Sequence, residues 1–364
     1  MSCPTEGSAN AHHAVVCFLT IPAAFVSLCV HMCLPLGEQL VISVALGSTI
    51  AIGWPIASVA QTTSASIEVP AWLFPSPAKA NTAILDSVTL RRIPGSQAAF
   101  TAARVADRFN VADWYPSSHP PMVDIVAHGR KPAVFACAYC HQPDGTGRPE
   151  NAMLAGLPVA YIQQQVADMK SGARRSAWRA PYAASDNMRK VADSATEGEI
   201  EAAARYYSRL PPRQRSRVVE ATKIPRAEPA LGLYLSVPNG GEEPLGQRLI
   251  EMPADASRHQ LLDPRVGYIA YVPPGSIARG RVLATAGSMP ATPPCESCHG
   301  PGLHGVALVA PLAGRAPSYL LRQLLAFRTG TRSTPAGAPM KIVAAGLNLN
   351  DMIAVAAYAG SQSP

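Results

Sequence analysis

Residues 158–171 carry a helical pattern: Tyr161, Gln165 and Met169 fall at i, i+4 and i+8, with Ile162 and Val166 beside them. Residues 317–329 repeat it with Tyr319, Gln323 and Phe327 in register and Leu320 and Leu324 alongside. Gly172 and Gly330 follow as C-terminal stops, since glycine takes the left-handed cap conformation without a steric penalty. Closing helices are predicted over 196–208, behind Thr196-Glu197-Gly198-Glu199, and over 348–360, behind Asn348 or Asn350. Opening helices are predicted near 121–129 and 276–287, the second capped by Ser276 after Pro273-Pro274-Gly275. No alternating apolar and polar run is long enough for a large sheet, so the expected class is all-α.

The paired helices belong to a duplication. A shift of 158 residues lays Gly129 on Gly287, Gly147 on Gly305 and Leu154-Ala155-Gly156 on Leu312-Ala313-Gly314. It continues without a gap through Tyr161 on Tyr319, Gln165 on Gln323, Gly172 on Gly330 and Arg174 on Arg332. A period this long means two globular units in tandem, not a solenoid.

The same shift superposes the chemistry. Cys137-Ala138-Tyr139-Cys140-His141 and Cys295-Glu296-Ser297-Cys298-His299 are both C-x-x-C-H, the attachment signature of a c-type haem. One helical turn presents two thiols to the porphyrin vinyl groups, and the following His becomes the proximal iron ligand. A zinc site or a redox dithiol would also use C-x-x-C pairs. Neither explains a His directly after each pair, and no βαβ context for a dithiol is present. Two covalently bound haem c groups are therefore expected.

The other axial ligand is sought before each closing helix, where a class I cytochrome supplies a Met sulfur. Met340 stands 18 residues before Tyr358, and Met188 stands 18 residues before Tyr206. The offset there is 152, so the first unit holds six extra residues around Trp178. Met153, Met169 and Met352 are expected to fill core space, as methionine commonly does. Arg174 and Arg332 are candidates for haem propionate contacts or for helix-end solvent positions. His119, His128, His259 and His304 are expected at the surface or in loops.

With these residues in view, the chain resembles the tandem two-haem class I cytochromes c of the bacterial periplasm, the cytochrome c-four type. The resemblance rests on the two C-x-x-C-H motifs, the Leu-Ala-Gly…Tyr…Gln…Gly…Arg runs and the Met before each last helix. It covers roughly 120–210 and 265–364. It implies His141 and Met188 on one low-spin iron, His299 and Met340 on the other, and single-electron transfer. The implied role is an electron carrier, not an enzyme. Two rivals remain: a dihaem redox enzyme of peroxidase or thiosulfate dehydrogenase type, and a cytochrome subunit of a dehydrogenase complex. The chain departs from the compact family members in its long connection between the units.

The expected organisation is a targeting or anchor segment at 1–60, an extension at 61–115, cytochrome domains at 116–210 and 265–364, and an irregular linker at 211–264. Within the extension, 98–108 is expected to be helical, and the segment is expected to pack over the first domain. A short extended segment is expected at 248–252. Residues 1–60 carry only Glu6 and Glu38 as charges, with apolar runs at 14–36 and 40–60. Haem attachment happens outside the cytoplasm, so an export signal is expected there, with cleavage after Ser58-Val59-Ala60. A retained first run would instead anchor the protein in the membrane. Cleavage removes Cys3, Cys17, Cys29 and Cys33, leaving four of the eight cysteines, all in the motifs.

Composition adds a little. With 31 Lys and Arg against 24 Asp and Glu, the formal net charge is +7. A basic surface suits an acidic redox partner through electrostatic steering. The arginines are dispersed, which argues against nucleic acid. Partners are expected among periplasmic or membrane-bound redox proteins, a dehydrogenase as donor and an oxidase-type acceptor.

Overall fold

The computed structural model describes residues 68–76, 85–230, 232–288 and 292–364. The proposed signal or anchor, its cleavage position and the first four cysteines lie outside the described residues. No single helix among the described residues is long and apolar enough to cross a membrane.

Helices run in the order α1 (Ala102–Val105), α2 (Asp124–Ala127), α3 (Cys137–His141), α4 (Val159–Ser171), α5 (Ala183–Ser194) and α6 (Glu197–Ser208). After the linker come α7 (Ala256–Gln260), α8 (Ser276–Thr285), α9 (Glu296–His299), α10 (Pro317–Arg328), α11 (Ala338–Ala345) and α12 (Leu349–Ser361). The caps follow the sequence signals. Thr196 and Glu199 close a capping box on α6, and Asn348 and Asp351 do so on α12. Gly172 ends α4 in the left-handed region at φ 80°. Ser276 is not a cap: Gly275, at φ 81°, occupies that position and Ser276 begins the helix. The opening helix of the first unit is a single turn, where nine residues were expected.

Two apolar clusters form the frame. In the first, Val126, Ala138, Leu157, Ile162, Ala204 and Tyr207 pack together. The second centres on α12, whose residues Asp351 through Gly360 are all buried, so this helix is a core helix apolar on every side. Leu283 of α8 and Leu321 and Leu325 of α10 pack against it. Met352 and Met153 are buried core residues as expected. Where α8 crosses α12, Gly280 allows backbone contact: a Cβ there would stand 2.6 Å from the Ala354 carbonyl carbon.

The all-α expectation needs correction, because the protein is mainly helical but contains a sheet. Strands are β1 (Ser216–Glu220), β2 (Lys223–Pro225), β3 (Ala227–Ala230), β4 (Leu233–Ser236), β5 (Glu242–Pro244), β6 (Ile250–Pro253) and β7 (Tyr268–Val272). Three make a sheet in the order β1-β7-β6, with β1 parallel and β6 antiparallel to β7. The others pair as the ribbons β2–β5 and β3–β4. The expected extended segment is present as β6. The linker is thus ordered by strands rather than irregular. These strands are three to five residues long, and β6 is buried at every position, so neither length nor alternation announces them. Glu251 on β6 ties the sheet to the start of α10. Its buried carboxylate accepts from Ser216 Oγ, from Ser318 N at 3.1 Å and from Ser318 Oγ at 2.6 Å.

The extension reaches further than the first domain. Phe74 stacks on Trp178 with ring centroids 5.7 Å apart, and Leu73 joins the second cluster. Helix α1 occupies only four residues of 98–108. Buried Trp114 donates from Nε1 to Leu261 O at 2.7 Å, pinning the extension to the linker.

Candidate haem sites

Both C-x-x-C-H segments fold as single helical turns, so the thiols at i and i+3 share one face. Burial pushes Cys137 up to about 12 and Cys295 up to about 11, and raises Cys140 as well. Among the described residues, no group of three or more His, Cys, Asp and Glu gathers as a metal site.

The two histidines are held identically. His141 Nδ1 lies 2.8 Å from Ala152 O, and His299 Nδ1 lies 2.7 Å from Ala310 O. Both acceptors lie eleven residues downstream and correspond in the repeat. With Nδ1–H donated to a carbonyl, Nε2 keeps its lone pair for a metal. Burial lowers the basicity of both rings, keeping them neutral and ligand-competent. The loop after each His is copied too: Gly147 N donates to His141 O at 2.9 Å, and Gly305 N to His299 O at 2.7 Å. The residue after each His has positive φ, 66° at Gln142 and 76° at Gly300.

One continuous cavity of about 1170 Å³ serves both motifs. It exceeds the roughly 300–1,000 Å³ of a pocket for one drug-sized ligand. His141, Met188, His299 and Met340 all line it, as do Cys137, Cys140, Cys295 and Cys298. Met188 sits on α5 and Met340 on α11, each between the long middle helix and the closing helix of its unit. Met169 also lines the cavity.

Arg174, Arg332, Arg315 and Arg322 line the cavity, as do the carboxylates Glu150, Asp186 and Glu199. Arg174 donates to Gln165 Oε1 at 2.9 Å and crosses to Tyr319 OH at 2.9 Å and Gln323 Oε1 at 3.0 Å. Arg332 reciprocates, reaching Gln323 Oε1 at 3.2 Å, Gln165 Oε1 at 2.6 Å and Tyr161 OH at 3.4 Å. The repeated Tyr, Gln and Arg positions are therefore the joint between the two units, and neither arginine is a helix-end solvent group. Arg315 and Arg322 are buried beside them; Arg315 donates to Met153 O at 2.7 Å. Among the described residues, none of the four has a carboxylate within 4 Å. Desolvation and mutual repulsion lower the proton affinity of Arg332, and desolvation that of Arg315. Asp168 helps raise Arg174, but the lowered Arg332 and Arg315 are costly to bury, so their part of the cavity favours anionic groups. A porphyrin with two propionates fits this requirement, and the donor set, the volume and the paired thiols fit it as well.

Sequence reasoning missed Arg315 and Arg322. Their counterparts in the repeat are Leu157 and Gln164, so no shared pattern marked them. His128 and His304 are exposed as expected, but His259 is buried, with Nδ1 3.2 Å from Tyr268 OH. His119 hydrogen-bonds Asp113 at 3.2 Å and Tyr206 OH at 3.1 Å under the first unit.

No family model matches the chain. It is 27% identical over 234 residues, 63% of this chain and 80% of the relative, to the thiosulfate dehydrogenase electron acceptor of Stutzerimonas stutzeri (strain A1501). It is 38% identical over 69 residues, 19% of this chain and 83% of the relative, to cytochrome c-554(548) of Halomonas halodenitrificans. Among solved structures, thiosulfate dehydrogenase from Marichromatium purpuratum is similar at 29% identity and a TM-score of 0.43. That match covers 63% of this chain, which spans 37% of the solved one.

Proposed function

We propose, for a chain that belongs to the class I c-type cytochromes in their tandem two-haem form and carries covalent haem c, that it relays single electrons between redox proteins. Each attached haem supplies a one-electron iron couple, whose potential thioether ligation raises. Cys137, Cys140, Cys295 and Cys298 hold the porphyrins. His141 and His299 present Nε2 to the irons, oriented by the Ala152 and Ala310 carbonyls. Met188 and Met340 supply the remaining ligands and close both irons to substrates. Arg174, Arg332, Arg315 and Arg322 offset the propionate charge. The domain limits 116–210 and 265–364 belong to the same reading.

The observation that carries it is the matched His-to-carbonyl bond in a cavity that also gathers both methionines. Haem attachment places the protein outside the cytoplasm, in the periplasm. The names of relatives, thiosulfate dehydrogenase electron acceptors, support a dehydrogenase of that kind as donor, and the reading gives the chain the role of carrier. The ferric holoprotein should show the weak long-wavelength band of thioether-ligated haem. Met188→Ala and Met340→Ala should each remove about half of it, since one haem of two is altered. A variant that leaves the band intact overturns that ligand assignment. Reduction by purified thiosulfate dehydrogenase with thiosulfate tests the donor, and no reduction refutes it.

A further inference from the structure

His119 is a buried ring with no part in the relay described so far. Its side chain is 3% exposed, and neither it nor its partners Asp113 and Tyr206 line the haem cavity. Nε2 stands 3.2 Å from the Asp113 carboxylate, and Nδ1 stands 2.9 Å from Pro120 O and 3.1 Å from Tyr206 OH. The Tyr206 hydroxyl donates to Pro143 O at 2.7 Å, so it meets Nδ1 as an acceptor. Both ring nitrogens therefore face acceptors. A neutral imidazole carries one N–H and must set a lone pair against one of them, whereas the imidazolium donates at both. Burial works against the charge, but the bonds to Asp113 and Pro120 outweigh it and hold the ring above its ordinary 6.5.

The remaining groups around the ring agree with a cation. Asp144, on the loop after His141, adds a second negative charge. Burial pushes the Tyr206 phenol up, and Asp113 and Asp144 add to it, so the hydroxyl stays neutral. His119 is thereby joined to the haem-motif loop, because Pro143 lies two residues beyond His141. The rings continue the connection: Tyr206 meets Tyr207 edge-on at 5.2 Å, and Tyr207 meets His141 at 6.3 Å. Asp113, with its side chain 19% exposed, links the buried ring to water. The second unit has no copy, since the shift of 158 puts Ile277 at the place of His119 and Gly302 at that of Asp144.

We infer that His119 couples a proton to the electron at the first haem site: it binds a proton from solvent with each electron taken up there and releases it with each electron given up. The inference rests on the electron-relay reading above and adds a pH dependence to one of its two sites. An added electron and the imidazolium attract across the protein interior, so each favours the other. As pH rises through the ring's titration the cation is lost, and the first site's potential should fall, staying level below and above that range. The fall should lie above pH 6.5, where Asp113 and Pro120 hold the ring.

The test is spectroelectrochemical titration of the holoprotein from about pH 5 to about pH 9, with proton uptake on reduction read in lightly buffered solution. One wave, the one that Met188→Ala displaces, should fall as the ring's proton affinity drops about tenfold on oxidation, equivalent to about 59 mV. His119→Gln keeps hydrogen bonding without titrating, and it should level that wave and abolish the uptake. Asp113→Asn should move the fall to lower pH, because the carboxylate that raises the ring is gone. His128→Gln, at an exposed ring, should change neither. A level wave in the wild type overturns the coupling, as does a fall that survives in His119→Gln or appears equally in both waves. If the wave falls as stated but thiosulfate dehydrogenase reduces nothing, the coupling stands and the named donor falls. If the enzyme reduces the protein while both waves stay level, the relay stands and the coupling falls.

Discussion

Gly280→Ala should destabilise the second unit, although alanine favours helices. The new Cβ would lie 2.6 Å from the Ala354 carbonyl carbon and 2.7 Å from Tyr358 Cβ. These are atoms of a buried helix that cannot swing aside. Overpacking a core costs about 1–3 kcal/mol, and the rigid obstruction places this case at the upper end. Helix propensity returns about 1 kcal/mol, leaving a loss of about 2 kcal/mol. In a protein of this size that lowers Tm by about 3 °C. Gly198→Ala is the matched control: it sits exposed in α6 with nothing within 4 Å of its Cβ, so it should raise Tm slightly. Since Ala284, Val355, Ala356 and Ala359 line the cavity from α8 and α12, the thioether band of one haem should weaken first on heating. The assay is thermal unfolding of the holoprotein followed by helical circular dichroism and by that band. Equal or higher Tm for Gly280→Ala would refute the close crossing.

Other outcomes follow from the polar contacts. Burial holds His259 down at about 4, below its ordinary 6.5, so its contribution is intact above pH 6.5 and lost as pH falls towards 4. That amounts to about 3 kcal/mol, visible as a denaturant midpoint that drops more steeply with acid in wild type than in His259→Leu. Arg174→Gln should weaken the joint by about 2–4 kcal/mol through its charged hydrogen bonds, measured by denaturant unfolding. It should also lower a haem potential by tens of millivolts, because removing a cation favours the oxidised iron. Arg174→Lys should keep the potential but lose the forked bonds to Tyr319 and Gln323, and a potential that follows Gln and Lys alike contradicts the charge argument. Trp114→Phe forfeits the bond to Leu261 O and should cost about 1 kcal/mol; an unchanged midpoint would mean that the extension does not hold the linker.

What the sequence disclosed was local or repeated. The capping boxes at Thr196 and Asn348 are read from residues three apart, and the histidine loops from a gap-free repeat. The cross-unit joint was half legible. Tyr161, Gln165 and Arg174 stood out because their counterparts matched, yet nothing in a linear pattern says that Arg174 reaches Tyr319 rather than solvent. The sheet was hidden for a different reason. Strands of three to five residues are too short for alternation to stand out, β6 is buried throughout and β7, which alternates in burial, is apolar at every position; their stability comes from packing on α10 and α12. Arg315 and Arg322 were missed because their repeat counterparts differ, and His259, expected at the surface or in a loop, is buried on a helix, since burial of a polar side chain is set by the tertiary fold.

Intact mass of the denatured protein, purified after export, tests the central claim most directly. The account predicts a polypeptide carrying two haems that survive denaturation, with one lost from Cys137→Ala/Cys140→Ala and the other from Cys295→Ala/Cys298→Ala. A mass without haem, or with a single haem unaffected by one of the two pairs, would contradict it.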